Sequence, residues 1–422
     1  MNILRLNAYF EPEITAATHL MNDLYEGFSK NKIKCCVITP EPTRGISKEI
    51  RKEYRKKRNE KLLNGSLEVK RFSMIREGKN PIQRAFRYFL CSIKHYYKGI
   101  QEKNIDVVFS GSTPPTNGVL SVLVAKKLSK KYGYKVPFIY ELQDIFPDSL
   151  INAKLAKKNG IIWKIGRLIE NYAYRNSDKI IVISEAMKKN ILNKGVPESK
   201  IEVISNWIDI NEVQPIEKLK NPLLKKLNLS IDDFIVLYAG NFGAAQGTEI
   251  IFEVAKQFEK VKNLKFVLFG GGAYFEDAKQ KAKSMKNIII NELLPVKYVS
   301  QVYSLGNIAL ITCKKGTGVA GMPSKTWSIM ACNTPIVASF DTDSELAYIL
   351  EKSGAGVCVE VENVKKLKKV IEKEYKDFTL GIKRKINTRE YVKKYASKEV
   401  CVNKYVKILN SFQRGREHEI NQ

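Results

Sequence analysis

Histidine is nearly absent from this sequence. His19, His95 and His418 are the three among 422 residues, which argues against a histidine-built metal centre. The seven cysteines, Cys35, Cys36, Cys91, Cys313, Cys332, Cys358 and Cys401, are odd in number and include no Cys-x-x-Cys pair. A disulfide scaffold and a cysteine-based zinc site are therefore not expected. No stretch comes near the roughly 20 apolar residues of a transmembrane helix. The opening MNILRLNAYF reads as a first strand and lacks the apolar run and cleavage site of a signal peptide, so the expected location is the cytoplasm. Acidic residues are the scarcer charge, 44 against 72 basic ones, for a net charge of +28. Such an excess invites a nucleic-acid partner. The lysines are spread along the whole chain, however, and no zinc finger, RNP-like aromatic strand or KH-type clamp accompanies them. A generally basic surface with one useful patch is expected, with no nucleic acid as partner; a non-catalytic nucleic-acid binder stays open as an alternative.

What is present is a folded, two-part chain. Hydrophobic residues make up 44% and charged residues 27%, and at ~150 residues per domain the length suits two large α/β halves. Short apolar, β-branched runs alternate with helical stretches. In the first half they fall at 2–9, 34–40, 67–73, 106–112, 137–143, 179–185 and 201–205, and in the second at 234–240, 265–270, 288–293, 308–312, 335–340 and 356–361. Continuous apolar strands between helices predict parallel sheets buried on both faces, so the fold class is α/β with two doubly wound, Rossmann-like domains. The expected boundaries are 1–209, 210–390 and a helical tail at 391–422 that could cross back to the first domain. The charge run 51–61 (RKEYRKKRNEK) reads as a solvated loop or helix end. Residues 84–100 predict an amphipathic helix with Phe86, Phe89, Leu90, Ile93, Tyr96, Tyr97 and Ile100 on one side and Arg84, Arg87, Lys94 and Lys98 on the other. It either packs on the sheet or meets an anionic membrane surface.

In open parallel sheets ligands bind beyond the carboxyl ends of the strands. After the first strand, Thr15, Ala16 and Ala17 open a helix that could offer amides to a polar substrate. After strand 137–143, Gln143 and Asp144 stand at a cleft wall; Asp144 either orients an acceptor hydroxyl or caps the next helix. After strand 234–240 come Gly240, Asn241, Phe242 and Gly243, whose glycines permit close approach to a diphosphate. Gly270, Gly271 and Gly272 follow strand 265–270. After strand 308–312, Gly316, Gly318 and Gly321 lead to Pro323, Ser324 and Lys325, where a helix opens with a lysine in its first turn. That lysine opposes the helix dipole unless an anionic ligand is bound. The pair Asp341 and Asp343 has the spacing of a metal-binding DxD motif, but capping explains it equally well, and no metal is expected.

Taken together these segments resemble glycosyltransferase family 4, the large retaining group with the GT-B fold. NAYFEPEITAATHLMNDL is similar to its first strand, small-residue loop and helix. ELQDIFPDSL is similar to a run of the subgroup that builds bacterial surface polysaccharides. VLYAGNFGAAQGTEII and GVAGMPSKTWSIMACNTPIVAS resemble the donor-domain loop and the nucleotide-sugar motif. The resemblance implies two domains facing a cleft. It implies transfer of a sugar, expected to be of N-acetylated hexosamine type, from a UDP-sugar to a polyprenyl-diphosphate-linked glycan. The work would take place at the inner face of the cell membrane, as for O-antigen or capsule assembly. It places the donor on Gly240, Asn241, Phe242, Gly243, Gly270, Gly271, Glu292, Leu293, Leu294, Pro323, Ser324, Lys325 and Ser328. The acceptor falls on Thr15, Ala16, Gln143 and Asp144. Asp144 and Lys325 become the catalytic pair, with no cofactor. The sequence departs from the family where a Glu-x7-Glu pair is common: Ala320 and Ser328 stand there, and Ala244 and Gln246 stand near the usual loop cation. Lys325 is left as the obvious phosphate cation. A sugar-nucleotide epimerase on the same fold stays open as a second alternative.

Overall fold

The computed structural model describes residues 1–422 except 14, 16, 79, 153–156, 319–321, 383–386 and 421–422; the side chains of 81, 82, 152 and 414–420 are also outside the description. The chain divides into two units, residues 1–205 with 401–422, and residues 206–400. The division thus falls after Ser205 and Val400, where the sequence reading had placed it after 209 and 390.

The first unit runs β1 (Asn2–Leu6), α1 (Thr18–Lys30), β2 (Lys34–Pro40), α2 (Lys48–Lys56), β3 (Asn59–Leu62), β4 (Leu67–Phe72), α3 (Pro81–Gly99), β5 (Val107–Gly111), α4 (Asn117–Tyr132), β6 (Phe138–Leu142), α5 (Asp148–Asn152), α6 (Ile161–Asn176), β7 (Lys179–Val182), α7 (Glu185–Asn193) and β8 (Ile201–Val203). Its sheet has the order β3-β4-β2-β1-β5-β6-β7-β8. All pairs are parallel except β3 with β4. The charge run at 51–61 is therefore the end of α2 and an antiparallel edge strand. Edge strands face water on one side, so charge there follows the usual protection of an open edge and hides the strand from a hydropathy reading.

The second unit runs α8 (Pro222–Lys226), β9 (Phe234–Asn241), α9 (Glu249–Lys256), β10 (Leu264–Gly271), α10 (Phe275–Ala282), β11 (Ile288–Glu292), α11 (Val299–Tyr303), β12 (Ile308–Thr312), α12 (Lys325–Ala331), β13 (Ile336–Ser339), α13 (Glu345–Ser353), β14 (Gly356–Val359), α14 (Val364–Thr379) and α15 (Thr388–Tyr395), followed by α16 (Lys398–Ile420). The sheet order is β11-β10-β9-β12-β13-β14, parallel throughout. Strands such as Phe234-Ile-Val-Leu-Tyr are apolar at consecutive positions because both faces are covered. Ile235 and Leu237 enter one core cluster, Phe234, Val236 and Tyr238 the other. Local signals set the helix limits: Ser344 caps α13 through Ala347 N, and Gly354, at φ +65°, ends it in the left-handed region.

A charged network lies inside the first unit. Arg5 on β1 reaches across β5, its guanidinium 4.2 Å from the Phe109 ring centroid, to Glu141 on β6 at 3.1 Å. Tyr405 of α16 donates to the other Glu141 oxygen at 3.0 Å, as does the Gln143 amide at 3.1 Å. Gly27 on α1 leaves the space for Val402: a Cβ there would stand 2.1 Å from a Val402 methyl. Breaking a buried pair from one side strands the other charge, which costs about 3–5 kcal/mol. Losing one hydrogen bond costs about 1–2 kcal/mol. Glu141→Gln is thus expected to lower the urea midpoint strongly and Tyr405→Phe modestly, read by circular dichroism. Equal midpoints for both variants and the parent would remove the network from the stability of this unit.

Candidate active site

Each sheet reverses its strand order once. The chain fills outward from β1 through β2 to β4 and then returns to place β5 on the other side of β1; likewise β12 lands beside β9 after β10 and β11. The loops after β1 and β5, and after β9 and β12, therefore separate at their roots and leave room for ligands.

In the second unit the loops following β9 and β12 are joined by hydrogen bonds. Thr312 Oγ1 donates to Gln246 O at 2.6 Å, and Lys314 N to Ala245 O at 2.9 Å. Gly247, at φ +56°, is needed there, since a Cβ would stand 2.6 Å from Cys313 O. Lys325 begins α12, one residue after Ser324 and two after Pro323, so Pro323 precedes the helix and does not open it. Its side chain runs back to the end of β9. Nζ donates to Ala239 O at 3.1 Å and lies 4.2 Å from the Tyr238 ring centroid. A Cβ on Gly240 would stand 2.8 Å from this nitrogen. Burial alone lowers the Lys325 pKa to about 8; among the described residues no carboxylate offsets that loss of hydration.

Asp341 turns out to belong to the same loops. It is buried, and its two oxygens accept from Gly316 N at 2.9 Å and Gly318 N at 2.8 Å. The DxD spacing that suggested a metal is explained by this anchoring role. Gly318 packs so closely on Phe340 that a Cβ would meet its ring at 2.3 Å. The signal missed in the sequence was a carboxylate at a strand end opposite a glycine-rich loop, whose free amides need acceptors.

Two donor candidates are corrected. Phe242 is fully buried, edge-to-face with Tyr238 and tilted against Phe275, with centroids at 5.3 and 5.4 Å. Its N–H donates to Gly271 O and its carbonyl accepts from Tyr274 N, so it is a core residue with no group left for a ligand. Gly270 is glycine because the Phe242 ring takes its Cβ position, 2.1 Å away. Asn241 is exposed and donates to Gln246 Oε1 at 3.2 Å, Gly243 is half-buried beside both, and Gly271 lies at the end of β10. Glu292 is exposed and paired with Lys279, Leu293 is exposed with its N–H on Gly270 O, and Leu294 packs on the core. Ser328 is buried within α12. Ala320 and Gly321 lie outside the described residues.

In the first unit α1 starts at Thr18, three residues later than expected, and Thr15 takes part in the turn before it: Thr15 N donates to Thr18 Oγ1 at 2.8 Å. Ala16 lies outside the described residues. Asp144 is exposed beyond β6, and α5 begins four residues later, so it caps no helix. Gln143 is turned inward to Glu141. Glu13, which the sequence reading passed over, lines a depression with Asn7, Tyr9, Glu11, Thr15 and Thr18. One Glu13 oxygen accepts from Thr43 N and Arg44 N, both at 2.7 Å, and the other is buried without a partner. Burial raises its pKa.

The faces of α3 match the expectation only in part: Arg84, Lys94 and Lys98 are exposed and Leu90, Tyr96 and Ile100 pack on the core, but other members change sides. Arg87 is buried, donating to Thr43 Oγ1 at 3.1 Å and lying 5.4 Å from the Tyr9 ring centroid. His95 on the same side meets Ile38 O at 3.0 Å, and burial lowers its pKa to about 4. Phe86, Phe89, Ile93 and Tyr97 face outward. Periodicity marks two faces but does not say which one finds polar partners inside.

Two doubly wound units, each with loops gathered at a switch point, define the GT-B class. Residues 17–212 match the pattern of Glycosyltransferase Family 4, and residues 220–399 that of Glycosyl transferases group 1. The chain belongs to glycosyltransferase family 4. It is 26% identical over 306 residues to a protein of Pseudomonas aeruginosa named "Probable glycosyltransferase WbjE", covering 70% of this chain and 73% of that one. It is also 26% identical over 274 residues to WcaI of Escherichia coli K12, which carries the name of a colanic acid biosynthesis glycosyl transferase, covering 64% and 66%. Among solved structures, Anabaena Alr3699/HepE, crystallised with UDP and glucose, superposes with a TM-score of 0.68 at 14% identity over 97% of this chain and 100% of that one.

Lys325→Met keeps the stem on Tyr238 and removes the charge. A charged hydrogen bond to a buried phosphate is worth about 2–4 kcal/mol, so transfer is expected to fall about 30- to 1000-fold with the melting temperature unchanged or raised. Above pH about 8 the free enzyme holds a neutral amine there. Folding stability then gains as pH rises toward the ordinary lysine value, because the unfolded chain binds the extra proton. If the donor diphosphate takes this ammonium, its binding is expected to weaken there and to take up a proton. Calorimetry at pH 8.5 in buffers of different ionisation enthalpy is expected to show this uptake in the parent and none in the variant; identical uptake in both would exclude Lys325 from the donor site.

Proposed function

We propose that this glycosyltransferase moves a sugar, of N-acetylated hexosamine type, from UDP to a polyprenyl-diphosphate-linked glycan during assembly of a bacterial surface polysaccharide, retaining the anomeric configuration. The observation that carries the donor half is the Lys325 ammonium, held beside Gly240 with no counter-charge among the described residues. A diphosphate supplies that charge, and more develops on the leaving oxygen as the sugar departs. Lys325 and loop amides meet it, with no metal in the scheme. UDP as the nucleotide is supported by HepE, crystallised with UDP-glucose, and the polysaccharide setting by WcaI, named for colanic acid biosynthesis. Among the described residues no helix is long and apolar enough to cross a membrane; the proposal has the lipid-linked acceptor met at the bilayer surface.

Asp144 is the acceptor-side counterpart. It orients the attacking hydroxyl, whose oxygen forms the new bond to the anomeric carbon as the bond to the diphosphate breaks, its proton passing to the departing diphosphate oxygen. Transfer from a panel of UDP-, GDP- and dTDP-sugars to a polyprenyl-diphosphate glycan, with the product linkage read by NMR, tests the reading. UDP donors are expected to be used, with retention. Asp144→Asn is expected to lower turnover about 100-fold, the scale of a misplaced reacting group, with the donor Kd unchanged. Interconversion of free UDP-sugars without acceptor would favour the epimerase instead.

A further inference from the structure

Three neighbouring helices of the first unit are unusual in what they expose. α4 packs between α3 and α6 on one face of the sheet. Gly118 on α4 admits α6 so closely that a Cβ would meet the Ala173 methyl at 2.8 Å. On α3, Phe86, Phe89, Ile93 and Tyr97 recur at helical spacing on the outer face, with Phe89 62% exposed. On α6 a second stripe does the same: Ile161, Ile162, Ile165 and Leu168 all point outward, at 78%, 58%, 54% and 70% exposure. Leu123 of α4, also exposed, stands on the helix between them. Monomeric proteins rarely leave contiguous apolar surface of this extent without a use for it.

The charges on these helices are one-sided. α3 and α4 contain no Asp or Glu, and the one acid of α6, Glu170, is buried against Arg167, Lys194 and Tyr174. Exposed basic residues accompany the stripes throughout: Arg84, Lys94 and Lys98 on α3, Lys126, Lys127 and Lys130 on α4, Lys164 and Arg175 on α6. A second copy of such a face would be repelled by it, whereas an anionic lipid surface attracts the cations and takes up the apolar groups. Position agrees. α3 and α6 lead into β5 and β7, so in a parallel sheet their amino ends lie at the carboxyl edge, where Thr15 and Asp144 are. The β6 loop is fastened to α6 directly: Trp163 Nε1 donates to Asp148 Oδ1 at 3.3 Å, and Gly166 admits Pro147, whose Cβ would lie 2.6 Å from an added Cβ.

We propose that α6 is a membrane-seating helix: with α3 it forms a two-stripe apolar footing, ringed by cations, that rests the carboxyl edge of the first unit on an anionic bilayer. This deepens the membrane reading above and is independent of which sugar or acceptor is used.

The experiment uses the full chain and vesicles of phosphatidylcholine with and without phosphatidylglycerol, without donor or acceptor, so a failed transfer assay does not bear on it. Trp163 is a built-in reporter, since Trp207 and Trp327 are only 3% and 4% exposed. Brominated lipid is expected to quench emission, and Trp163→Phe to abolish the quenching. Replacing Ile161, Ile165 and Leu168 by Ser, all outward-facing, is expected to weaken vesicle binding at least tenfold without lowering the melting temperature. Parent-like binding by that variant, or an unquenched Trp163, would overturn the role of α6; the α3 reading survives if Phe86→Ser with Phe89→Ser releases the protein. No vesicle binding by the parent removes both. A parent dimer that the α6 variant turns into monomer with vesicle binding intact would make the face a self-association surface and overturn the proposal.

Discussion

The buried bond between Arg5 and Glu141 ties together the parts of the first unit that matter for its chemistry. It spans three strands, passing over Phe109 of β5 to join β1 to β6. The loops carrying Thr15 and Asp144 leave from those outer two strands, which both pair with β5 and are cross-linked by this ion pair near the loop bases. Helix α1 closes one side of the guanidinium through Met21 and Tyr25, and α16 closes the carboxylate through Tyr405. Such a pair contributes little net stability, because dehydrating both charges offsets most of their attraction. Its effect is on uniqueness. A helix that docks elsewhere leaves Glu141 short of a partner, and the penalty for that is larger than any gain from a looser packing.

The second unit solves the opposite problem with a single charge. Its apolar clusters hold the sheet, while the Lys325 ammonium sits against a carbonyl and an aromatic face that only partly replace water. Cation–π and carbonyl contacts of this kind are weaker than an ion pair, so the site is poised for an anion. The glycines around it are tolerances of fit more than sources of flexibility. Gly240 clears the ammonium, Gly247 clears Cys313 O, and Gly318 clears Phe340. Asp341 holds the loop by accepting the Gly316 and Gly318 amides, one on each oxygen.

The net charge of +28 is also less uniform than the sequence suggests. Part of it is spent inside, where Arg5, Arg71 and Arg87 are buried. Part is concentrated on α3, α4 and α6, where no exposed acid balances it. Composition counts both kinds alike; only burial separates a structural arginine from one that meets a partner.

Most of the fold was legible from the chain alone. Strand runs such as 234–240 and 308–312 are continuously apolar over 234–239 and 308–311, as doubly covered parallel strands are, and glycine loops follow them. Lys325 stands out in the sequence because a cation in a first turn opposes the helix dipole; that it is buried against Ala239 O and Tyr238 only the structure shows. The edge strand Asn59–Leu62 was not, because its exposed side admits charge. Three decisions belonged to the tertiary structure. Phe242 and Gly270 looked like ligand loop and are core, since one ring fills the other's missing side chain. Asp341, whose spacing from Asp343 suited a metal or a cap alike, is a loop anchor. The outward face of α3 was set by Arg87 and His95 finding Thr43 and Ile38 inside. Spacing along a chain records which residues share a side; which side is buried depends on partners many residues away, and those meet only when the sheet forms.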